Sequence, residues 1–427
     1  MNKIPTIFII FGVSGDLAQR YLLPAINAIA KTGMLPNKFQ IVGVTRQKNS
    51  DYFQMDITDK EDYERLNVYL NEIEKEFKEP TQRIFYLAVP PEACKDIIEL
   101  IGKSSLIKHN NNKLLLEKPF GTNLSSAKDL VKHVDKYFSS EQVYRVDHYM
   151  AKEISQNLIV FRNGNSLFKK TWNKDFIESI EITVSEKIDI EGRVNFYEQT
   201  GALRDVVQSH LLQLASLALM DLPKNLDDVP KCRLQALKQL NIVCNIKNEE
   251  CVKRAQYKGY RNEVNNLKSM IETFVSINLQ SNDSKLAGIP ITLTTGKALK
   301  EEFTVIKIRY KKDDENESNE LQLRVQPDAG IEFSIWAKKP GLEHQVSKHK
   351  LHFLFKEYYG ELPNAYEQVL FNAINSDHNL FTSSEEIIQT WRILDEIQNM
   401  WKNNNSDLVF YEKGSSIEQI MENKHLA

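Results

Sequence analysis

The sequence predicts an α/β domain built on a doubly wound parallel sheet, followed by an α+β domain with a large, mainly antiparallel sheet. Three observations predict it. Through the first 146 residues, short continuous apolar runs alternate with helical stretches, as expected for strands buried on both faces of a parallel sheet. After about residue 150 the strands lengthen, several alternate apolar and polar residues, and they are no longer each followed by a helix. The chain's 427 residues also exceed the usual size of one hydrophobic core. The expected division is 1–146 and 147–427.

Thr6-Ile7-Phe8-Ile9-Ile10-Phe11 is the first buried strand. A glycine turn follows, then a helical stretch carrying Leu17, Leu22, Leu23, Ile26 and Ile29. Gln40–Val44, Arg83–Val89 and Lys113–Glu117 supply further strands, and Pro90-Pro91 stops the second of these. This alternation implies a parallel sheet wound in both directions. Later strands are predicted at Ile177–Glu186, Glu272–Leu279, Thr304–Tyr310, Glu320–Pro327 and Ile331–Ala337. Helices are predicted at 151–163, 205–220 and 384–401, and solvated turns at 312–319 and 402–406.

Lys+Arg 55 against Asp+Glu 58 gives a formal net charge of −3. Such a chain has no bulk attraction for nucleic acid or an anionic membrane, so neither partner is expected. The four cysteines, at 94, 232, 244 and 251, form no CxxC pair. They give no zinc spacing and point to a reducing compartment with the thiols mostly buried. The N-terminal apolar run is too short for a signal peptide, and Leu211–Met220 is half the length of a membrane span. A cytoplasmic location is expected.

Gly12-Val13-Ser14-Gly15-Asp16-Leu17 lies between the first strand and the first helix. Glycines there let the backbone approach a pyrophosphate, whose charge the helix N-terminus favours. This gives the first domain a Rossmann-type reading, although the spacing is GxxGxL. The second strand runs into Arg46, with no acid before Asp51. An arginine there suits the extra phosphate of NADP, where an acid would suit the ribose of NAD. Lys118, in Glu117-Lys118-Pro119-Phe120-Gly121, follows a buried strand at the edge where parallel sheets bind ligands.

Arg145, Asp147, His148, Lys152 and Glu153 fall within nine residues at the expected domain junction. If that segment is helical, His148 and Lys152 share a face and can grip one phosphate. A second cluster, Arg204 to Gln213, places His210 on an otherwise apolar helix. An imidazole there suits proton removal near neutral pH, and a carboxylate would stabilise its charged form. Asp147 and Asp205 both qualify, and spacing does not choose between them.

Taken together these segments resemble the glucose-6-phosphate dehydrogenase family, with its GxSGDLA turn, EKPFG, RIDHYLGKE and RDVxQNHLLQ in that order. The resemblance continues through Gly192-Arg193, Gly296-Lys297-Ala298-Leu299, Arg324-Val325-Gln326-Pro327 and Trp391-Arg392-Ile393. It implies NADP-dependent oxidation of glucose 6-phosphate to the lactone, the first step of the oxidative pentose phosphate pathway. It implies His210 as the general base and Asp147 as its partner. His148, Tyr149 and Lys152 match the phosphate grip, and Lys118 matches a lysine that touches both sugar and cofactor. Glu186, Asp205, Lys297 and Gln326 match further substrate contacts. Gly12, Ser14, Gly15, Asp16, Leu17 and Arg46 match the cofactor site. No metal is implied, and the family habit is a homodimer formed through the sheet of the second domain.

The chain also departs from the family pattern. Tyr21 and Glu302 stand where positive charge is usual, Lys300 being a possible substitute for the latter. Ala151, Ser209 and Thr294 replace a glycine, an asparagine and an arginine. The stretch between Arg46 and Asp56 is short, so a helix over the cofactor domain is expected to be missing. The short C-terminus implies an incomplete second, structural NADP site of the kind some eukaryotic members carry. Two further readings stay open: a dehydrogenase for another sugar phosphate, and a non-catalytic NADP-binding sensor.

Overall fold

Every residue of β1 (Thr6–Phe11) is buried, because parallel neighbours flank it on both sides. The computed structural model describes residues 4–47, 51–243, 252–312, 318–403 and 407–422. Cys244 and Cys251 lie outside them, as do parts of the two turns expected at 312–319 and 402–406. The chain divides into two compact units. The first holds Met1–Ala151, Asn225–Pro230 and Pro363–Ile388; the second holds the rest. Three stretches that the 146/147 division assigned to the second domain, 147–151, 225–230 and 363–388, therefore group with the first.

In the first unit, β2 (Phe39–Thr45), β3 (Phe53–Gln54), β4 (Gln82–Leu87), β5 (Asn112–Leu116) and β6 (Val143–Val146) join β1 in parallel. The order across the sheet is β6-β5-β4-β1-β2-β3, with an antiparallel strand, Phe381–Thr382, beyond β6. The winding reverses between β1 and β4, and open parallel sheets bind ligands at the carboxyl ends of such strands. Parallel strands usually need a crossover of a dozen residues or more. β2 and β3 are joined by residues 46–52, and no helix occurs there among the described residues.

The first helix starts irregularly. Ala18–Leu22 is a wide π turn that runs into the regular helix Leu23–Lys31. Pro24 accounts for this: it has no N–H, and its ring would strike the carbonyl of residue 20 in a regular turn. Ala18, Leu22, Ile26 and Ile29 then pack against Phe8 and Ile10 of β1, together with Val369 and Ile374 of the later segment.

Among the described residues the second unit carries a ten-stranded sheet. Its strands include β7 (Ile177–Ser185), β8 (Leu240–Ile242), β9 (Val252–Tyr257), β10 (Phe274–Ser281) and β11 (Ile291–Gly296). Next come β12 (Phe303–Tyr310), β13 (Glu320–Gln326), β14 (Gly330–Lys338) and β15 (Val346–Leu354), and a last strand, Leu408–Tyr411, pairs with β9. Most pairs are antiparallel, but β7 with β11 and β9 with Leu408–Tyr411 are parallel. β15 forms one edge. Behind β7 and β11 runs a buried helical rod, Leu203–Leu211 continued by Leu212–Leu219. Apart from Arg204, every residue from Ala202 to Met220 is buried.

Candidate active site

In the first unit the site begins at the end of β1. Gly12 turns the chain at φ +79°. A Cβ there would collide with the carbonyl oxygen of Ala88, so only glycine fits. The N–H groups of Gly12 and Val13 donate to the carbonyl of Val44 at 3.2 and 3.3 Å, which ties the turn to β2. Gly15 N–H closes the turn on the Gly12 carbonyl at 2.9 Å. Ser14 and Asp16 are exposed and Leu17 is half-buried. Asp16 pairs with Arg20 at 3.4 Å. Arg46 is exposed, directly after β2. This is a backbone cradle at the switch point, with an exposed cation beside it, and it fits a dinucleotide pyrophosphate.

Lys118 follows β5 and precedes a cis Pro119. Beside it Glu117 accepts a hydrogen bond from the Tyr86 hydroxyl at 2.5 Å. Burial pushes the Glu117 carboxyl up to about 7, against the opposing pull of Tyr86 and Lys118. Tyr366, which sequence analysis missed, adjoins this group. Its phenol is pushed up by burial, then by Glu117 and Tyr21. Its ring lies 5.5 Å from Tyr21 and 6.5 Å from His148. The available signal was the Asn364-Ala365-Tyr366-Glu367 capping box, which sets Tyr366 in the first turn of Ala365–Ile374. Tyr21 therefore packs against the Tyr366 ring, with the Arg20 guanidinium 5.6 Å from the centre of its own ring.

Asp147 is buried just past β6. Its side chain accepts the Tyr149 N–H at 3.0 Å, and its carbonyl accepts the Met150 N–H at 3.0 Å. The segment is thus a turn, and the helix begins only at Glu153. The condition for His148 and Lys152 to share a helix face is not met, since Lys152 is the extended residue before the helix. The Asp147 carboxylate organises the turn that presents His148 and Tyr149. Burial lowers the pKa of Lys152.

In the second unit Asp205 and His210 lie on the Leu203–Leu211 segment, at 8% and 3% exposure. This segment is π-helical, and such turns gather at functional sites. Ser209 donates to the Asp205 carbonyl at 3.0 Å, a bond that competes with the regular helix ladder. Lys297, just past β11, is 2% exposed and donates to Glu186, just past β7, at 2.7 Å. The parallel pairing of β7 with β11 brings their ends together, with Ser185 beside Gly296. Lys297 Nζ also lies 5.5 Å from the centre of the Tyr197 ring. Gln326 ends β13 before a cis Pro327. Lys300 and Glu302 are both exposed.

Comparison with known proteins identifies the family of the chain. The family model for the glucose-6-phosphate dehydrogenase NAD binding domain matches residues 9–52 and 48–157, and that for the C-terminal domain matches 159–424. This chain belongs to the glucose-6-phosphate dehydrogenase family. The glucose-6-phosphate 1-dehydrogenase of Chlamydia muridarum is 32% identical, over 93% of this chain and 90% of its own length. That of Bacillus subtilis is also 32% identical, over 97% of this chain and 95% of its own. A solved glucose-6-phosphate dehydrogenase in complex with its substrate glucose 6-phosphate matches with a TM-score of 0.91 and 26% identity. That match covers 100% of this chain and 98% of the other. The first unit is accordingly the nicotinamide-cofactor domain of an oxidoreductase. The two segments of the first family match meet at residues 48–52, where the crossover is short.

Among the described residues no helix is long and apolar enough to cross a membrane. Cys94 and Cys232 are half-buried, and burial pushes the Cys94 thiol up to about 11.

Proposed function

We propose that this chain oxidises glucose 6-phosphate at C1 to 6-phosphogluconolactone, with NADP as hydride acceptor. The observation that carries this reading is the full-length match to a dehydrogenase in complex with glucose 6-phosphate. The retained Lys118, Asp147, His148, Lys152 and His210 support it. The bound nicotinamide supplies the hydride acceptor. His210 takes the proton of the anomeric hydroxyl, and Asp147 stabilises the imidazolium that results. The C1–O bond becomes the lactone carbonyl as C1 gives up its hydride.

His148, Tyr149 and Lys152 hold the phosphate. The lowered pKa of Lys152 reflects a charge short of solvation, which an anionic group would stabilise. Glu186, Asp205, Lys297 and Gln326 orient the sugar, and Lys118 bridges sugar and cofactor. The Gly12–Leu17 turn receives the pyrophosphate. Exposed Arg46 pairs with the 2′-phosphate, and its position directly after β2 supports NADP over NAD.

The protein acts as a cytoplasmic homodimer joined through the second unit's sheet. Exposed Val346 and Leu351 on edge strand β15, with exposed Tyr358 and Tyr359 beyond it, support such an apolar contact.

Tyr21 and Glu302 favour a second reading, a related dehydrogenase for another sugar phosphate. A panel of hexose and pentose phosphates, assayed with NAD and NADP in parallel, separates the two. Preferred turnover of glucose 6-phosphate with NADP is expected. Preference for a different sugar phosphate selects the second reading. Cofactor binding without turnover on any sugar phosphate selects a sensor.

A further inference from the structure

Two adjacent residues just before β10 reach both halves of the second unit's polar cluster. Glu272 is 4% exposed. Its carbonyl accepts the Ala202 N–H at 3.0 Å, and its carboxylate accepts the Leu203 N–H at 2.9 Å. Leu203 is the first residue of the π-helical segment that carries Asp205 and His210. The preceding helix ends at Gly201, with φ +62° and ψ −179°. A Cβ on Gly201 would overlap the Glu272 carboxylate. Glu272 therefore fixes where the new helix starts, and so the height and rotation of the residues it carries.

Thr273 reaches the other way. Its carbonyl accepts the Lys297 N–H at 2.9 Å. Its hydroxyl lies 2.9 Å from the Tyr411 hydroxyl, which donates to the Lys297 carbonyl at 2.6 Å. Lys297 in turn holds Glu186. The backbone of one dipeptide thus spans from the helix of His210 to the turn of Lys297.

We propose that Glu272 and Thr273 form a positioning link, in which Glu272 sets the helix bearing His210 and Thr273, with Tyr411, sets Lys297. The inference rests on the reading of His210 as base and Lys297 as sugar contact. The two arms have separable kinetic signatures. Misplacing a base lowers kcat, whereas loosening a contact made equally to substrate and transition state raises KM.

The test is steady-state kinetics on the full chain, with glucose 6-phosphate and NADP, well below each variant's melting temperature. Glu272→Ala is expected to lower kcat by roughly 10- to 100-fold with KM for glucose 6-phosphate within about threefold. Glu272→Gln keeps an acceptor for the Leu203 N–H and is expected to restore kcat to within about threefold. Gly201→Ala is expected to reproduce Glu272→Ala, because its methyl displaces the carboxylate. Tyr411→Phe is expected to raise KM by about tenfold with kcat nearly constant.

A Glu272→Ala enzyme that melts earlier yet turns over like the wild type would overturn the proposal, as would a Glu272→Gln enzyme as impaired as the alanine variant. If Glu272→Ala does not fold, Glu272→Asp decides: reduced kcat at constant KM supports the link, and wild-type kcat overturns it. Turnover retained in His210→Asn would remove the base assignment beneath the link, an outcome distinct from the Glu272 results.

Discussion

The turn after β1 and the helix Leu203–Leu211 build their proposed ligand sites in opposite ways. The turn is made of backbone: Gly12 and Gly15 shape it, and Ser14, Asp16 and Arg46 around it are exposed. The other site is made of side chains: Asp205 and His210 on the helix, and the Lys297–Glu186 pair at the ends of β11 and β7, depend on buried polar groups and their partners. A backbone site tolerates almost any side chain that leaves its conformation alone and fails abruptly when a Cβ intrudes. A buried side-chain site responds to each partner that is removed.

Four substitutions sharpen this contrast, from the largest expected effect to the smallest. Gly12→Ala should break the backbone site outright, since the methyl meets the Ala88 carbonyl and φ is +79°. Strain of about 1–3 kcal/mol is expected. Thermal melts and NADP titration should show a lower Tm and a loss of NADP affinity of at least about tenfold. Wild-type affinity would contradict the cradle.

Arg46→Ala should spare the turn and remove only the exposed cation. The KM for NADP is expected to rise roughly tenfold while that for NAD stays nearly constant. Equal effects on both cofactors would separate Arg46 from the 2′-phosphate.

Glu117→Gln addresses the buried acid beside Lys118. Burial first, then Asp147, raises its carboxyl from an ordinary 4.5 to about 7, although Tyr86, Lys118 and Tyr366 pull it down. Between those values the folded chain keeps a proton that the unfolded chain has released. Its contribution to stability is therefore full below about 4.5 and is lost as pH rises through about 7. Melting curves across that window should show a shallower decline for Glu117→Gln than for the wild type. Parallel declines would mean that the carboxyl does not titrate there.

Tyr197→Phe should matter least in the free protein. Its buried hydroxyl has no hydrogen-bond partner among the described residues. Stability is expected to stay within about 1 kcal/mol of the wild type. A loss well beyond that, measured by denaturant unfolding, would show a partner for the hydroxyl.

The same contrast explains how much the sequence reveals. β1 is legible because five consecutive apolar residues, Ile7 to Phe11, match burial on both faces. The glycine turn is legible because only glycine serves at Gly12. β15, with its sequence Val346-Ser347-Lys348-His349-Lys350-Leu351-His352-Phe353-Leu354, is hidden by its exposure, since most of its side chains meet no core. β11 is short and threonine-rich, and its parallel pairing with β7 is a long-range fact that no local pattern carries.

The packing of Pro363–Ile388 with the first unit is equally nonlocal, and it hid Tyr366. At the site, residue types were readable and geometry was not. A 3.6-residue period places His148 and Lys152 together, yet the Asp147 carboxylate holds that stretch as a turn. The π-helical start at Leu203 depends on Glu272, 69 residues further along the chain.

The most direct test of the central claim is a single comparison of NADPH formation from glucose 6-phosphate by wild type and His210→Asn. Loss of a general base usually lowers the rate by about 10²- to 10⁴-fold. A fall of that size in kcat, with NADP affinity and Tm near those of the wild type, is the predicted result. Wild-type turnover by His210→Asn, or no turnover by the wild type despite NADP binding, would contradict the account.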